Sequence, residues 1–120
     1  MVCAPSWALA PRINYMLQCQ GCHGPDGRGE PGHVPAIRAT LVPLASLPDG
    51  RRYLVQVPGV AQSTLSDPEL AALLNWTIET LGRVTPERFA AFTPAEVARY
   101  RHEPLVEVSA TRARLMRKLR

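Results

Sequence analysis

Residues 19–23 read Cys19-Gln20-Gly21-Cys22-His23: two thiols with two residues between them, followed at once by an imidazole. Three chemistries use such a pair: a thioredoxin-type redox couple, half of a zinc site and, when His comes next, covalent attachment of haem. A redox couple wants a preceding strand in a βαβ frame. A zinc site wants a fourth ligand, and His33 and His102 are the candidates. The spacing favours haem: one helical turn separates the thiols, so both can meet the two vinyl groups on one porphyrin edge while His23 swings under the iron as proximal ligand. The third cysteine, Cys3, makes the count odd, which argues against a disulfide framework.

On the N-terminal side, residues 11–20 (PRINYMLQCQ) set Ile13, Met16, Leu17 and Gln20 at helical spacing after Pro11, which predicts a short helix with Met16 in the core. Residues 1–10 read as a signal-peptide remnant or N-terminal tail. A short apolar stretch closes there on Ala8-Leu9-Ala10, an A-x-A cleavage pattern, which makes the expected compartment periplasmic. On the C-terminal side, residues 21–59 hold seven of the eight glycines and six of the twelve prolines, so they are expected to be loop with at most one helix, near Arg51–Val55. So long a loop region needs an organiser other than secondary structure.

Ser66-Asp67-Pro68-Glu69 is a capping box, and Leu70, Leu73, Leu74, Ile78 and Leu81 follow as one apolar stripe ending at Gly82. Thr85-Pro86 and Thr93-Pro94-Ala95-Glu96 mark two further helix starts, the second with its own box, and a last helix is expected over Leu105–Leu119. No segment alternates with period two over a strand length, so the predicted class is all-α.

Composition sets the outer bounds. The 120 residues are 46% hydrophobic and 20% charged, above the range of chains that stay disordered, and no apolar run approaches a membrane span of about 20 residues. Seven aromatics are few for a core, and small domains commonly recruit a cofactor. The charge is uneven: residues 83–120 hold nine Arg and Lys against four Glu, while residues 11–82 hold five Arg against six acids. No aromatics are interleaved with the basic run for base stacking, so nucleic acid is not an expected partner.

From Pro11 to Gly82 the chain resembles the class I c-type cytochromes. The resemblance rests on Cys19-x-x-Cys22-His23, on Tyr15 and Trp76 standing where that family pairs two aromatics, and on Gly24, Gly27 and Gly29 leading to Pro35. It implies a helical fold around one covalent haem c, with residues 11–82 as the haem domain and 83–120 as a basic helical extension. It further implies that a carbonyl at Pro35 accepts the Nδ1 proton of His23, and that Arg38, Arg51, Arg52 and Tyr53 lie in loops covering the haem propionates. The implied role is single-electron transfer in the periplasm, not enzymatic, between a dehydrogenase and the respiratory chain or an oxidase. The extension is expected to be a docking face for a redox partner.

One departure is plain. The family's sixth iron ligand is usually a Met from the loop before the last core helix, and here that loop, Val57–Leu65, holds no Met, His or Lys. Three outcomes are open: an uncovered iron beside small residues such as Val60 and Ala61; a ligand from His102, Met116 or His33; or a ligand from a partner. An uncovered iron would permit small ligands or peroxide to bind, as in a ligand-binding sensor or weak peroxidase, but no distal acid-base pair is evident to activate them, so single-electron transfer remains the expected role.

Overall fold

The computed structural model describes residues 10–119, and the expected signal remnant lies almost wholly outside them. Helix α1 (Pro11–Gln18) starts with proline at its first position, where the missing N–H costs nothing. It breaks at Cys19, and the single turn α2 (Gln20–His23) carries the second thiol and the imidazole before Gly24, at φ 84°, stops it. A glycine-rich loop then leads to α3 (Ile37–Leu44), α4 (Pro48–Gln56) and the short α5 (Pro58–Ala61). Helix α6 (Asp67–Trp76) continues as a π-helical turn over Thr77–Leu81. After a 3-10 turn at Pro86–Arg88 come α7 (Pro94–Arg101) and α8 (Val108–Lys118). No strand occurs among the described residues, and the fold is all-α as expected.

Several local expectations are corrected. The stretch from residue 21 to 59 is more helical than its composition predicts, because Pro48 and Pro58 sit at first-turn positions and start helices instead of breaking them. Met16 is not core: α1 buries Asn14 and Tyr15, leaving Met16 46% and Leu17 66% exposed. The cause is Tyr15, whose ring meets Trp76 at 5.5 Å between centroids and whose hydroxyl donates to the Gly24 carbonyl at 2.6 Å, so the helix is rotated to serve that residue. The start read at Thr85 yields only the 3-10 turn, and the last helix begins at Val108, three residues later than expected.

The capping box of α6 is complete: Glu69 N–H donates to Ser66 Oγ, and Glu69 Oε1 accepts from Ser66 N–H at 3.0 Å. That of α7 is half made. Thr93 Oγ1 accepts from Glu96 N–H, but the Glu96 carboxylate is taken by Arg51. Helix α6 is the centre of the packing, against α1 on one side and α7 on another. Phe92, Val97 and Leu115, all beyond Gly82, join Tyr15, Leu44, Val55, Leu70 and Ile78 in one core. The Asn75 side chain fastens this return of the chain by pairing with both backbone groups of Phe92, at 3.0 and 2.7 Å.

Candidate functional site

A cleft of about 340 Å³ opens beside α2, and Cys19, Cys22 and His23 all line it. Cys19 N–H donates to Tyr15 O and His23 N–H to Cys19 O, so α1 and α2 set the two thiols and the imidazole on consecutive turns. His23 Nδ1 lies 3.0 Å from the carbonyl oxygen of Pro35, twelve residues on. With that nitrogen held as donor, Nε2 is free to ligate. Gly29 makes the approach feasible: its N–H donates to His23 O at 2.8 Å, its φ is 68°, and a Cβ there would strike the carbonyls of Val34 and Pro35. A loop of residues with β-carbons could not close so tightly under the imidazole.

The rest of the lining is largely apolar. Ile37 and Leu41 come from α3, Leu54 from α4, and Leu70, Leu73 and Leu74 from α6. Thr77, at the first position of the π-helical turn, also faces the cleft, its Oγ1 tied back to Leu73 O at 2.7 Å. Val57, Gly59, Val60 and Ser63 add a wall of small side chains. Burial, with the neighbouring Cys22 second, pushes the free Cys19 thiol up to about 11, the opposite of the lowered value a redox-active thiol needs. Among the described residues no third His, Cys, Asp or Glu joins the pair in a metal-binding cluster, so the zinc reading finds no support.

Tyr53 and Arg112 also face this apolar space. The Tyr53 phenol is pushed up by burial, an effect partly offset by the positive charge of Arg112. Arg112, on α8, lines the same cleft, and its Nε is buried with no hydrogen-bond partner among the described residues. A buried guanidinium nitrogen left unpaired is costly, and a carboxylate is its natural partner. A flat apolar ring with carboxylates on one edge therefore fits: its plane matches the aliphatic walls, and its acids would meet Arg112 and Tyr53. The residues present suit a haem.

The structure brings Cys19, Cys22, His23, Pro35 and Tyr53 to one cleft and takes the other expected residues elsewhere. Arg38 is exposed and does not line it. Arg51 is held away from it by other partners. Its guanidinium grips Glu96 through two bonds of 2.8 and 2.6 Å, donates to the carbonyls of Ala45 and Ala90, and stacks on Phe92 at 3.9 Å. Arg52 pairs with Glu103 at 3.3 Å. His102 is exposed at the C-terminal end of α7 and His33 is exposed on its loop, so neither faces the cleft.

Two residues escaped the sequence reading. Arg112 belonged by periodicity to the polar side of the last helix, and only the docking of α8 beside α4 turns it inward. Arg101 clamps the segment behind the small-residue wall. It donates to the carbonyls of Ala61 (2.8 Å), Ser63 (2.6 Å) and Leu65 (2.7 Å) and pairs with Asp67 at 3.1 Å, with its side chain only 11% exposed. No periodicity signals such a role, because its partners are backbone oxygens 36 to 40 residues away.

No protein-family model matches the chain. It is 31% identical over 129 aligned residues to a protein named cytochrome c-552 from Thermus thermophilus, an alignment covering 90% of this chain and 87% of the relative. A second Thermus thermophilus protein named cytochrome c-552 is 31% identical over 119 aligned residues, covering 82% of this chain and 91% of the relative. The likeness thus extends over most of the chain, which belongs to the c-type cytochromes, with their all-α fold.

Proposed function

We propose that this cytochrome is a periplasmic single-electron carrier with one covalent haem c. The observation that carries the reading is the His23 to Pro35 contact at 3.0 Å, made on the rim of an apolar cleft that both motif cysteines line. When bound, haem supplies an iron that gains or loses one electron between its ferrous and ferric forms. Cys19 and Cys22 would hold it covalently through their sulfurs. His23 would ligate the iron through Nε2, with the Pro35 carbonyl keeping the proton on Nδ1, which fixes the ring and raises its basicity. Tyr53 and Arg112 would pair with its carboxylates, and the aliphatic side chains of α3, α4 and α6 would keep water from it.

The aliphatic walls also keep reorganisation small, which suits electron transfer. The walls carry no carboxylate or second imidazole to move a proton onto a substrate, so this reading assigns no catalytic residue. The partner is a redox protein, a periplasmic dehydrogenase on one side and the respiratory chain or an oxidase on the other, met through the exposed cations of residues 83–119. Co-expression with a haem-attachment system is expected to add the mass of one haem, to give a reversible one-electron wave, and to lose both when Cys19 and Cys22 are replaced by Ala. A product with unmodified thiols would refute the reading.

A further inference from the structure

We propose that no side chain among the described residues takes the sixth position of the haem iron, so that the cleft wall of Val57, Gly59, Val60 and Ser63 is a binding site for a small neutral ligand of the carbon monoxide or nitric oxide class. The inference rests on the haem reading above and goes beyond it, since a carrier with two protein ligands would have no such site.

The described residues hold a short roster of side chains able to ligate haem iron beside His23. His33 and His102 are exposed and absent from the cleft lining. Met16 points away on α1, 46% exposed. Met116 packs against the core, also outside the lining, and Lys118 is held by Asp49 at 3.2 Å. Of the two tyrosines in the cleft, Tyr15 is bound to Gly24 O. Tyr53 is kept as the neutral phenol by burial, whereas ligation needs the phenolate.

The Ser63 end of this wall is also held in place. The segment from Ala61 to Leu65 is pinned through three backbone carbonyls by Arg101, whose second contact is the Asp67 carboxylate at the start of α6. A segment fixed by its backbone to a half-buried ion pair does not swing to bring in a distant donor, and its own side chains include none. What this part of the cleft lining offers is methyl groups, the Gly59 backbone and one hydroxyl, Ser63. Such walls favour small neutral ligands over anions, because no cation, imidazole or amide side chain of this wall would stabilise a charge brought out of water.

The test uses the holo-protein. Covalent haem is first verified by mass. Absorption and resonance Raman spectra of the ferrous protein are then recorded with and without carbon monoxide. The expected result is a high-spin ferrous haem converted stoichiometrically to a low-spin carbonyl complex. A low-spin ferrous spectrum that carbon monoxide leaves unmoved overturns the proposal while leaving the haem reading intact; a protein without covalent haem overturns both. Val60→Met supplies the missing thioether next to the pinned segment and is expected to turn the ferrous spectrum low-spin and to weaken carbon monoxide binding by an order of magnitude or more. If the wild type is already low-spin, that variant leaves the spectrum as it was, the second sign that a ligand was in place.

Discussion

Arg112 is the residue that most changes the picture of the site. It sits on a helix beyond the minimal cytochrome core, yet its buried Nε has no partner among the described residues and it shares the cleft with Tyr53. With a propionate beside it, the guanidinium stabilises the ionised acid, lowering a carboxyl pKa by about 1–3 units for an opposite charge within contact range. Arg112→Gln removes a positive charge that disfavours ferric iron. The midpoint potential is therefore expected to fall by an amount equivalent to roughly 1–2 kcal/mol, the interaction of charges roughly 10–15 Å apart at an effective dielectric near 20. The propionate pKa should rise at the same time, so the potential becomes pH-dependent in mild acid where the wild type is flat. Spectroelectrochemical titration at several pH values measures both, and an unchanged potential would remove Arg112 from the haem edge.

At the scale of elements, two devices fix the segment between α5 and the body of α6. The first is the capping box, in which Ser66 N–H and Oγ–H donate to Glu69 and hold its carboxyl below the ordinary range. A carboxyl lowered in the folded state contributes stability that is present above its unfolded pKa and is lost as pH falls through the folded one. Glu69→Gln is therefore expected to lower the denaturant midpoint at neutral pH and to converge with the wild type below about pH 4, the range in which free glutamate protonates.

The second device is Arg101, which has no substitute. Arg101→Gln leaves three loop carbonyls and Asp67 without their cation. The cost of breaking a mostly buried charge network is about 3 kcal/mol. Urea unfolding is expected to show that loss, and amide exchange is expected to speed up from Ala61 to Leu65 while α3 stays protected.

For the whole molecule, the boundary at Gly82 separates charge more cleanly than it separates structure. Residues 11–82 were expected to be the haem domain and residues 83–120 a basic extension, but Phe92, Val97 and Leu115 lie in the same core as Tyr15 and Leu70. Removing three buried side chains of this size costs several kcal/mol, comparable with the total stability of a small domain. A chain ending at Gly82 is therefore expected to lose cooperative unfolding by circular dichroism even where haem attachment proceeds. The net charge of +4 also needs a new account. Arg101 and Arg112 turn inward, and Lys118 and Arg114 stand 3.2 and 3.9 Å from Asp49. The surface cations left for docking are fewer than the sequence count, with Arg83, Arg88, Arg99 and Arg117 exposed.

The sequence by itself determined the Cys-x-x-Cys-His motif, the Ser66 cap and the all-α class. Each is a local pattern in which residue type and interval already specify the contact: one turn between thiols, a hydroxyl three residues before its amide. The Pro35 acceptor and the Tyr15 and Trp76 pair were legible only through the resemblance to the c-type cytochromes, because interval does not specify a contact between residues so far apart. Tertiary structure alone decided which arginines serve the site. Arg38, Arg51 and Arg112 look alike in sequence, and a long cationic side chain finds its partner through the docking of whole helices. Arg51 was captured by Glu96 of α7, and Arg112 was delivered to the cleft by α8. The scarcity of aromatics has the same resolution. The described core is filled with Leu, Ile, Val and Ala around a cleft shaped for a flat apolar ring, so the chain's missing bulk is the cofactor's.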